Sequence, residues 1–188
     1  MNPSKSPAAA DRPIGRDEVR AAILEAASRR FAAQGPTASL RDIAADAQVN
    51  LGLVHRHFGN KDDLIRAVLE RHARAGLAFV ADAPDLPTAT RRVNAQMCLG
   101  TNYLRIVAWL MLGDAPIEQF QDQYPTIRAL REQADDADQE MRLLAAFAAI
   151  YGWAVFGPQL LAAFDHEPAE RAAIETRIGD LLAQLVRG

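Results

Sequence analysis

Several residue types are scarce in this chain, and each shortage excludes a class of protein. The 188 residues include one cysteine, Cys98, which excludes an intramolecular disulfide and fits a reducing compartment. Aromatic residues make up only 6% of the chain, whereas alanine occurs 37 times. Residues that favour strands are few, so sandwiches and barrels are disfavoured. We therefore expect an all-α protein.

A strong positive charge is also missing, and the net charge of −3 at first argues against a nucleic-acid partner. The charge is unevenly distributed along the chain. Residues 1–72 hold 11 basic against 9 acidic side chains, whereas residues 73–188 hold 10 against 15. Such asymmetry indicates that one half of a chain contacts nucleic acid. The N-terminal half is therefore the candidate for DNA binding.

Two segments require a decision about targeting and membranes. Residues 1–13 contain three prolines and no apolar run, so we expect a disordered tail rather than a secretory signal. Residues 143–164 are apolar for long enough to span a membrane, but Pro158 interrupts them and no basic anchor follows. Because a helix that is apolar all round is more often buried or part of an oligomer interface, we expect no membrane contact.

Helical periodicity begins at Ile14, and Gly35 with Pro36 is expected to end the first helix. Two further short helices follow, from Ser39 and from Asn50, with a tight turn between them. Three helices so arranged predict a helix-turn-helix unit. Longer helices are predicted for the rest of the chain, over 88–112, 117–138 and 140–164 and from Glu167 onwards.

A helix-turn-helix unit places the start of its second helix against base edges in the major groove. Arg41 is the main candidate for base readout, because a guanidinium can donate two hydrogen bonds to guanine. Lys61 and the nearby hydroxyl groups suit phosphate contacts. The predicted DNA contacts are Thr37, Ser39, Arg41, Asn50, Leu51, Gly52, Leu53, His55, Arg56, His57 and Lys61.

Two segments, AAILEAASRRFAAQG and SLRDIAADAQVNLGLVHRHFGNKDDLIRAVL, carry a resemblance to a known family. They lie within residues 14–72, a region that resembles the N-terminal domain of TetR/AcrR-family transcriptional regulators. The resemblance implies a DNA-binding domain over 14–60 and a helical effector-binding and dimerisation domain over 61–188, with 61–80 as the linking helix. It also implies a homodimer on double-stranded operator DNA, released by a small apolar ligand. Such a repressor is expected in the bacterial cytoplasm, associated with the nucleoid when bound to DNA.

The chain departs from the family pattern at three places. Gln48 stands where the family has a turn glycine, which predicts some backbone strain. His55 stands where a phosphate-binding tyrosine is usual. Leu51 and Leu53 replace more polar readers, so we expect contacts with thymine methyl groups.

The C-terminal half offers residues for an effector pocket and for a dimer interface. Side chains with apolar bodies and polar tips suit a pocket, and an apolar stripe on the last two helices suits the interface. The predicted ligand contacts are Asn102, Tyr103, Trp109, Phe120, Tyr124, Phe147, Tyr151 and Trp153. The predicted interface residues are Tyr151, Val155, Leu160, Ile174, Ile178, Leu181 and Leu185.

The sequence is also compatible with two other classes of function, which differ in how well they fit. A DNA-binding protein without a small-molecule effector, architectural or controlled by a partner, is the main alternative, and a C-terminal domain without a sizeable cavity would favour it. An enzyme or metalloprotein is disfavoured, because His55 and His57 do not share a helix face and no ligand set surrounds them. We expect no catalytic residue, no metal and no cofactor.

Overall fold

The computed structural model of the protein describes residues 13–99, 102–113, 120 and 124–188. Over these residues all regular structure is helical, which confirms the predicted all-α class. Short 3-10 turns at Gly35–Thr37 and Pro168–Glu170 precede the second and the last helix. The helices are α1 (Arg16–Gln34), α2 (Leu40–Asp46), α3 (Leu51–Phe58), α4 (Lys61–Ala81), α5 (Leu86–Leu99), α6 (Asn102–Leu112), α7 (Pro125–Arg131), α8 (Ala137–Ala163) and α9 (Arg171–Arg187).

The starts of α2, α3 and α4 are set by side-chain caps, as the sequence predicts. The Ser39 hydroxyl accepts a hydrogen bond from the Arg41 N–H at 3.2 Å, and the Asn50 amide oxygen accepts one from the third residue of α3 at 2.9 Å. Asn60 and Asp63 bond each other's backbone N–H groups reciprocally. Each cap satisfies an N–H group that has no partner within its helix.

The first hydrophobic core holds α1 to α4 together, and we call this part of the molecule the head. Its centre is the predicted stripe of α1, in which Ile23 and Ala27 are fully buried and Phe31 is 1% exposed. The same core also includes residues of α6, namely Ile106, Val107 and Leu110. The head is therefore packed against α6 rather than joined to the rest of the chain by α4 alone.

The second core lies among α4 to α9, and we call this part the body. Leu104, Leu130 and Val186 are at most 1% exposed in it. Helices α5 and α9 approach closely because Gly179 has no side chain, and a Cβ there would lie 2.9 Å from the amide nitrogen of Asn94. Tyr103 and Tyr151 are partly buried against both cores.

Two predicted helices differ from the structure. The helix expected over 88–112 is two helices, α5 and α6, and residues 100–101 between them are outside the described part. The helix expected over 117–138 is wrong in both halves: the described residues 120 and 124 are not helical, and a break separates the end of α7 at Arg131 from the start of α8 at Ala137. Asp136 accounts for that start, since its carboxylate accepts the Gln139 N–H at 2.7 Å. Residues 114–119 and nearly all of the predicted tail also lie outside the described residues.

Candidate nucleic-acid interface and internal cavity

The turn between α2 and α3 has the conformation that the sequence predicts to be strained. Gln48 has φ of +55°, a left-handed conformation that side chains other than glycine adopt at a cost. The turn is closed by a hydrogen bond from the Val49 N–H to the Ala44 carbonyl at 2.9 Å. Val54 and Phe58 bury one side of α3 in the head. The opposite side of α3 therefore faces solvent.

The predicted DNA contacts are displayed along the surface formed by α2, α3 and the two segments that flank them. Arg41 is exposed at the first turn of α2, and Arg56 is exposed on α3. Neither arginine forms an ion pair with another residue that the structure describes. Thr37, Asn50, Gly52 and His55 are also exposed, whereas Ser39, Leu51, Leu53, His57 and Lys61 are half-buried.

Three of these residues already bond backbone carbonyls of the head. The Thr37 hydroxyl donates to the Gln34 carbonyl at 2.6 Å, and the Lys61 ammonium donates to the Pro36 carbonyl at 2.9 Å. The Nδ1 atom of His55 lies 2.8 Å from the Gly59 carbonyl. Lys61 keeps two further N–H groups for a phosphate, because an ammonium has three donors.

Arg20 supports α3 from α1 and was not anticipated from the sequence. Its guanidinium carbon lies 4.5 Å from the centre of the Phe58 ring, and its Nη1 donates to the His57 carbonyl at 3.4 Å. The stacking is a cation–π contact, and the hydrogen bond satisfies a carbonyl at the C-terminal end of the helix. Arg20 therefore fixes the end of α3 relative to α1.

Helix α2 is attached to α1 by an ion pair with two hydrogen bonds. The Nε and Nη2 atoms of Arg30 donate to the carboxylate of Asp46 at 2.6 and 2.8 Å. The hydrogen bonds from Arg30 hold the pKa of Asp46 below its ordinary value. This two-point contact restricts the rotation of α2 more than a single hydrogen bond does.

A cavity of about 50 Å³ lies in the body, enclosed by α4, α5, α6, α7 and α8. Three of the eight predicted ligand residues line it, namely Tyr103, Tyr124 and Tyr151. Burial, followed by the neighbouring tyrosines, raises the pKa of Tyr151. Other lining residues have no signal in the sequence that marks them, among them His72, Gly76, Gln96, Met97 and Thr126.

His72 connects this cavity with the head. Its Nε2 atom lies 3.0 Å from the hydroxyl oxygen of Ser28 on α1, and its ring centre is 5.7 Å from that of Tyr103. The Asn102 amide donates to the same hydroxyl at 3.4 Å. Burial, with a smaller contribution from Arg71, lowers the pKa of His72, so its neutral form is favoured. Ser28 is thus shared by α1, α4 and α6.

The comparisons with known proteins agree with this geometry. Residues 23–68 match the family described as bacterial regulatory proteins, tetR family. The chain is 34% identical over 180 residues to the HTH-type transcriptional repressor Rv3405c of Mycobacterium tuberculosis, covering 93% of this chain and 92% of that protein. The chain belongs to the TetR family. It is therefore a helix-turn-helix transcriptional regulator and not an enzyme.

Two solved structures have the same fold as this chain. A tetR-family transcriptional regulator from Streptomyces coelicolor has a TM-score of 0.62 at 20% identity, covering 92% of this chain and 82% of that one. Salmonella enterica GusR has a TM-score of 0.65 at 18% identity, covering 95% of this chain and all of that one (100%). At these identities the similarity shows a shared fold and nothing more.

The other five predicted ligand residues of the TetR-family chain lie away from the cavity lining. Asn102 bonds Ser28, as described above, and Trp109 packs against Gly35 of the head. Phe120 belongs to the head core, and Phe147 to the body core. The Trp153 indole N–H donates to the Glu175 carboxylate at 3.1 Å.

Among the described residues, no group of three metal-binding side chains comes together. Cys98 is half-buried, and burial raises the pKa of its thiol to about 11. A thiol with so high a pKa is a weak nucleophile at neutral pH. The family consists of transcriptional regulators, for which no catalytic centre is expected.

Helices α8 and α9 expose a row of large apolar side chains on the regulator. Helix α8 is long and apolar enough to cross a membrane by length and composition alone, and 28% of its apolar window is buried. Two predicted interface residues are half-buried within the protomer, where Tyr151 lines the cavity and Ile178 packs on the body core. Val155 lines an open groove beside α6, and Ile174 is half-buried. The exposed residues are Met141, Leu144, Phe156, Leu160, Phe164, Leu181 and Leu185.

Proposed function

We propose that this regulator is a repressor that binds a palindromic operator as a homodimer, with α3 in the major groove. The observation that carries the proposal is the exposed α2–α3 surface, on which Arg41 and Arg56 have no carboxylate partner among the described residues. Arginines so placed are available to guanine edges and phosphates. Ser39, Asn50, Leu51, Gly52 and Leu53 lie next to them at the starts of α2 and α3.

Selection of bound duplexes from a random DNA pool tests this proposal. We expect a near-palindrome whose half-sites lie one helical turn or a multiple apart, because the dimer presents α3 twice. Arg41→Ala should weaken the selected site by about 5- to 150-fold and relax the base preference at one position per half-site. Arg56→Ala should weaken all duplexes similarly and lower the salt dependence. Arg128→Ala, on α7, is the control and should change neither property.

The second copy is proposed to pack on the exposed apolar row of α8 and α9. Phe156 is 59% exposed and Leu181 is 57% exposed in a single protomer, and the same two helices also expose Leu144, Leu160 and Leu185. Contiguous apolar surface of this kind is unfavourable in water and marks an interface. A two-fold axis would cover the row on both chains at once, because the same surface then faces itself.

Light scattering on two α9 variants tests the dimer. Leu181→Glu should give a monomer, because it places a charge in the middle of the apolar row. Thr176→Glu carries the same charge change on an exposed part of α9 outside that row, and it should leave a dimer. A dimer in Leu181→Glu would contradict the proposed interface.

The cavity beside the three tyrosines is the proposed effector site. Tyr103, Tyr124 and Tyr151 line it together with apolar residues, a lining that suits a small, uncharged and mostly apolar ligand. Ligand pockets usually have volumes of about 300 to 1,000 Å³, so the 50 Å³ cavity must widen to hold such a molecule. His72 would transmit that widening to Ser28 in the head, since the two residues are bonded.

The small volume of the same cavity favours a second candidate, an operator-binding repressor controlled without a small ligand. Thermal unfolding with phenol as the probe distinguishes the two. If the cavity accepts effectors, phenol should raise the melting temperature of the wild type but not of Met97→Phe, in which a larger side chain fills the cavity. If phenol acts equally on both or on neither, while both proteins bind the operator, the second candidate is supported.

A further inference from the structure

The hydrogen bond between His55 and the Gly59 carbonyl determines which ring nitrogen is left to bind a phosphate. The Nδ1 atom of His55 lies 2.8 Å from this carbonyl at the end of α3. A carbonyl oxygen only accepts hydrogen bonds, so the hydrogen must be carried by Nδ1. In the neutral imidazole the other nitrogen, Nε2, then has a lone pair and no hydrogen.

A phosphate oxygen also only accepts hydrogen bonds. The neutral His55 ring therefore has nothing to donate to a DNA backbone, and its Nε2 lone pair would face the negative oxygens. The imidazolium is different, because it keeps the bond to Gly59 and adds a charged Nε2–H donor. A tyrosine at this position would donate its hydroxyl without any change of charge.

We propose that His55 contacts an operator phosphate only as the imidazolium, so that DNA binding takes up a proton at His55 in each protomer. The inference rests on the proposed function, because it requires α3 to lie in the major groove. It adds a regulation that the DNA-binding surface alone does not imply. Operator affinity should fall as pH rises, because only the protonated ring has a donor for the phosphate.

The charged groups packed around α3 are mostly engaged elsewhere. From α1, Arg20 covers Phe58 and bonds the His57 carbonyl. From α2, Asp46 is paired with Arg30, while Arg41 and Asp42 are exposed at the first turn. From α4, Lys61 bonds the Pro36 carbonyl, Asp63 pairs with Arg66 at 2.7 Å, and Asp62 is exposed.

The other imidazoles are separable from His55. His57 and Arg56 lie on the same helix, and His57 is half-buried with its ring 6.4 Å from that of Phe58. His72 is bonded to Ser28 beside the cavity. His166 faces Glu170 at the junction of α8 and α9. His166→Gln is therefore the control, because it removes an imidazole that lies outside the proposed DNA surface.

Fluorescence anisotropy with a duplex recovered from the random pool tests the proposal at pH 6, 7 and 8 and constant ionic strength. The wild type should lose roughly tenfold or more in affinity from pH 6 to pH 8, as expected when a charge-assisted bond is lost. His55→Tyr and His55→Phe differ by one hydroxyl and neither can titrate in this range. The Tyr variant should bind tightly at every pH, and the Phe variant weakly at every pH.

Salt dependence and heat provide two readouts that a purely structural role would not change. The salt slope of the wild type should be smaller at pH 8 than at pH 6 by about 0.9 per lost phosphate contact. Calorimetry in buffers of different ionisation enthalpy should show proton uptake by the wild type and by His166→Gln, and none by His55→Tyr.

The outcomes separate this inference from the function on which it rests. If the wild type binds no selected duplex at any pH, the proposed function fails. If it binds with an affinity independent of pH, or if His55→Tyr keeps the wild-type pH dependence, only the role of His55 is overturned. Equal affinities of the Tyr and Phe variants would also overturn it, because no phosphate contact would then exist at this position.

Discussion

Gly35 joins the head to the body, and its replacement by alanine should be among the most destabilising single changes in the chain. Gly35 has φ of +62° and ψ of −155°, a conformation that is essentially restricted to glycine. It also packs against the body, because a Cβ atom built on it would lie 2.9 Å from the Cγ and Cδ2 atoms of Trp109 on α6. Gly35→Ala therefore meets two separate obstacles.

The expected cost follows from these two obstacles. A residue held in such a backbone region costs about 1 to 3 kcal/mol. An extra methyl group in a packed contact costs a further 1 to 3 kcal/mol or so, according to how far the neighbour can move. Trp109 is 46% exposed, so its indole has room to shift, and we expect the second contribution at the lower end. Gly35→Ala should thus lower the free energy of unfolding by about 2 to 4 kcal/mol.

Urea unfolding at a fixed protein concentration, followed by circular dichroism, measures this cost. Gly15→Ala is the matched control, because Gly15 also has a positive φ, of +98°, but a Cβ there meets nothing within 4 Å. Trp109→Ala alone and together with Gly35→Ala isolates the steric contribution, which should disappear in the double variant. If Gly35→Ala is no less stable than Gly15→Ala, the contact with Trp109 does not constrain the head.

Two further predictions concern Gln48 and His72. Gln48→Gly should raise the free energy of unfolding by up to about 1 kcal/mol, because a φ of +55° suits glycine. Gln48→Ala should not raise it. Urea unfolding of the two variants and the wild type measures the difference. Burial lowers the pKa of His72 in the folded protein. Below about pH 6.5 the unfolded chain therefore binds a proton at His72 more readily than the folded protein does. The stability of the wild type should fall as pH is lowered through this range. His72→Gln should lose this part of the pH dependence, and an unchanged profile would assign it to another group.

The local features of the head could be predicted from the sequence because they depend on neighbouring residues. Ser39, Asn50 and Asn60 cap helices through bonds to the backbone no more than three residues away. The left-handed backbone at Gln48 is implied by the resemblance, because Gln48 stands where the family has a turn glycine. Such features are fixed by periodicity and capping chemistry, which a single sequence displays.

Contacts between distant segments could not be predicted in the same way. Arg20 reaches His57 across 37 positions of the chain, and Lys61 reaches Pro36 across 25. A charged residue on an exposed helix face has many possible partners, and only the packing angle of α1 and α3 selects one. For the same reason the sequence predicts a phosphate contact for Lys61 but not its hydrogen bond to the Pro36 carbonyl inside the head.

The cavity lining was the least predictable part, because small and uncharged residues contribute as much to it as aromatic ones. Gly76 and Met97 have no local pattern that marks them as lining residues, and their position depends on where α7 crosses α4 and α5. Of the aromatic candidates, Phe120 and Phe147 fill cores instead. Aromatic type therefore does not predict which residues line the cavity.

The position of the cavity determines how the head and the body can move relative to each other. Tyr103 and Tyr151 pack against both cores and also line the cavity, so a rotation of the head must displace at least one of them. Closely packed side chains resist such displacement, but 50 Å³ of free volume beside these rings lowers the resistance at this place. His72 lies against the same cavity and bonds Ser28 of α1. Filling or widening the cavity should therefore change the orientation of α1 more readily than a change elsewhere in the body.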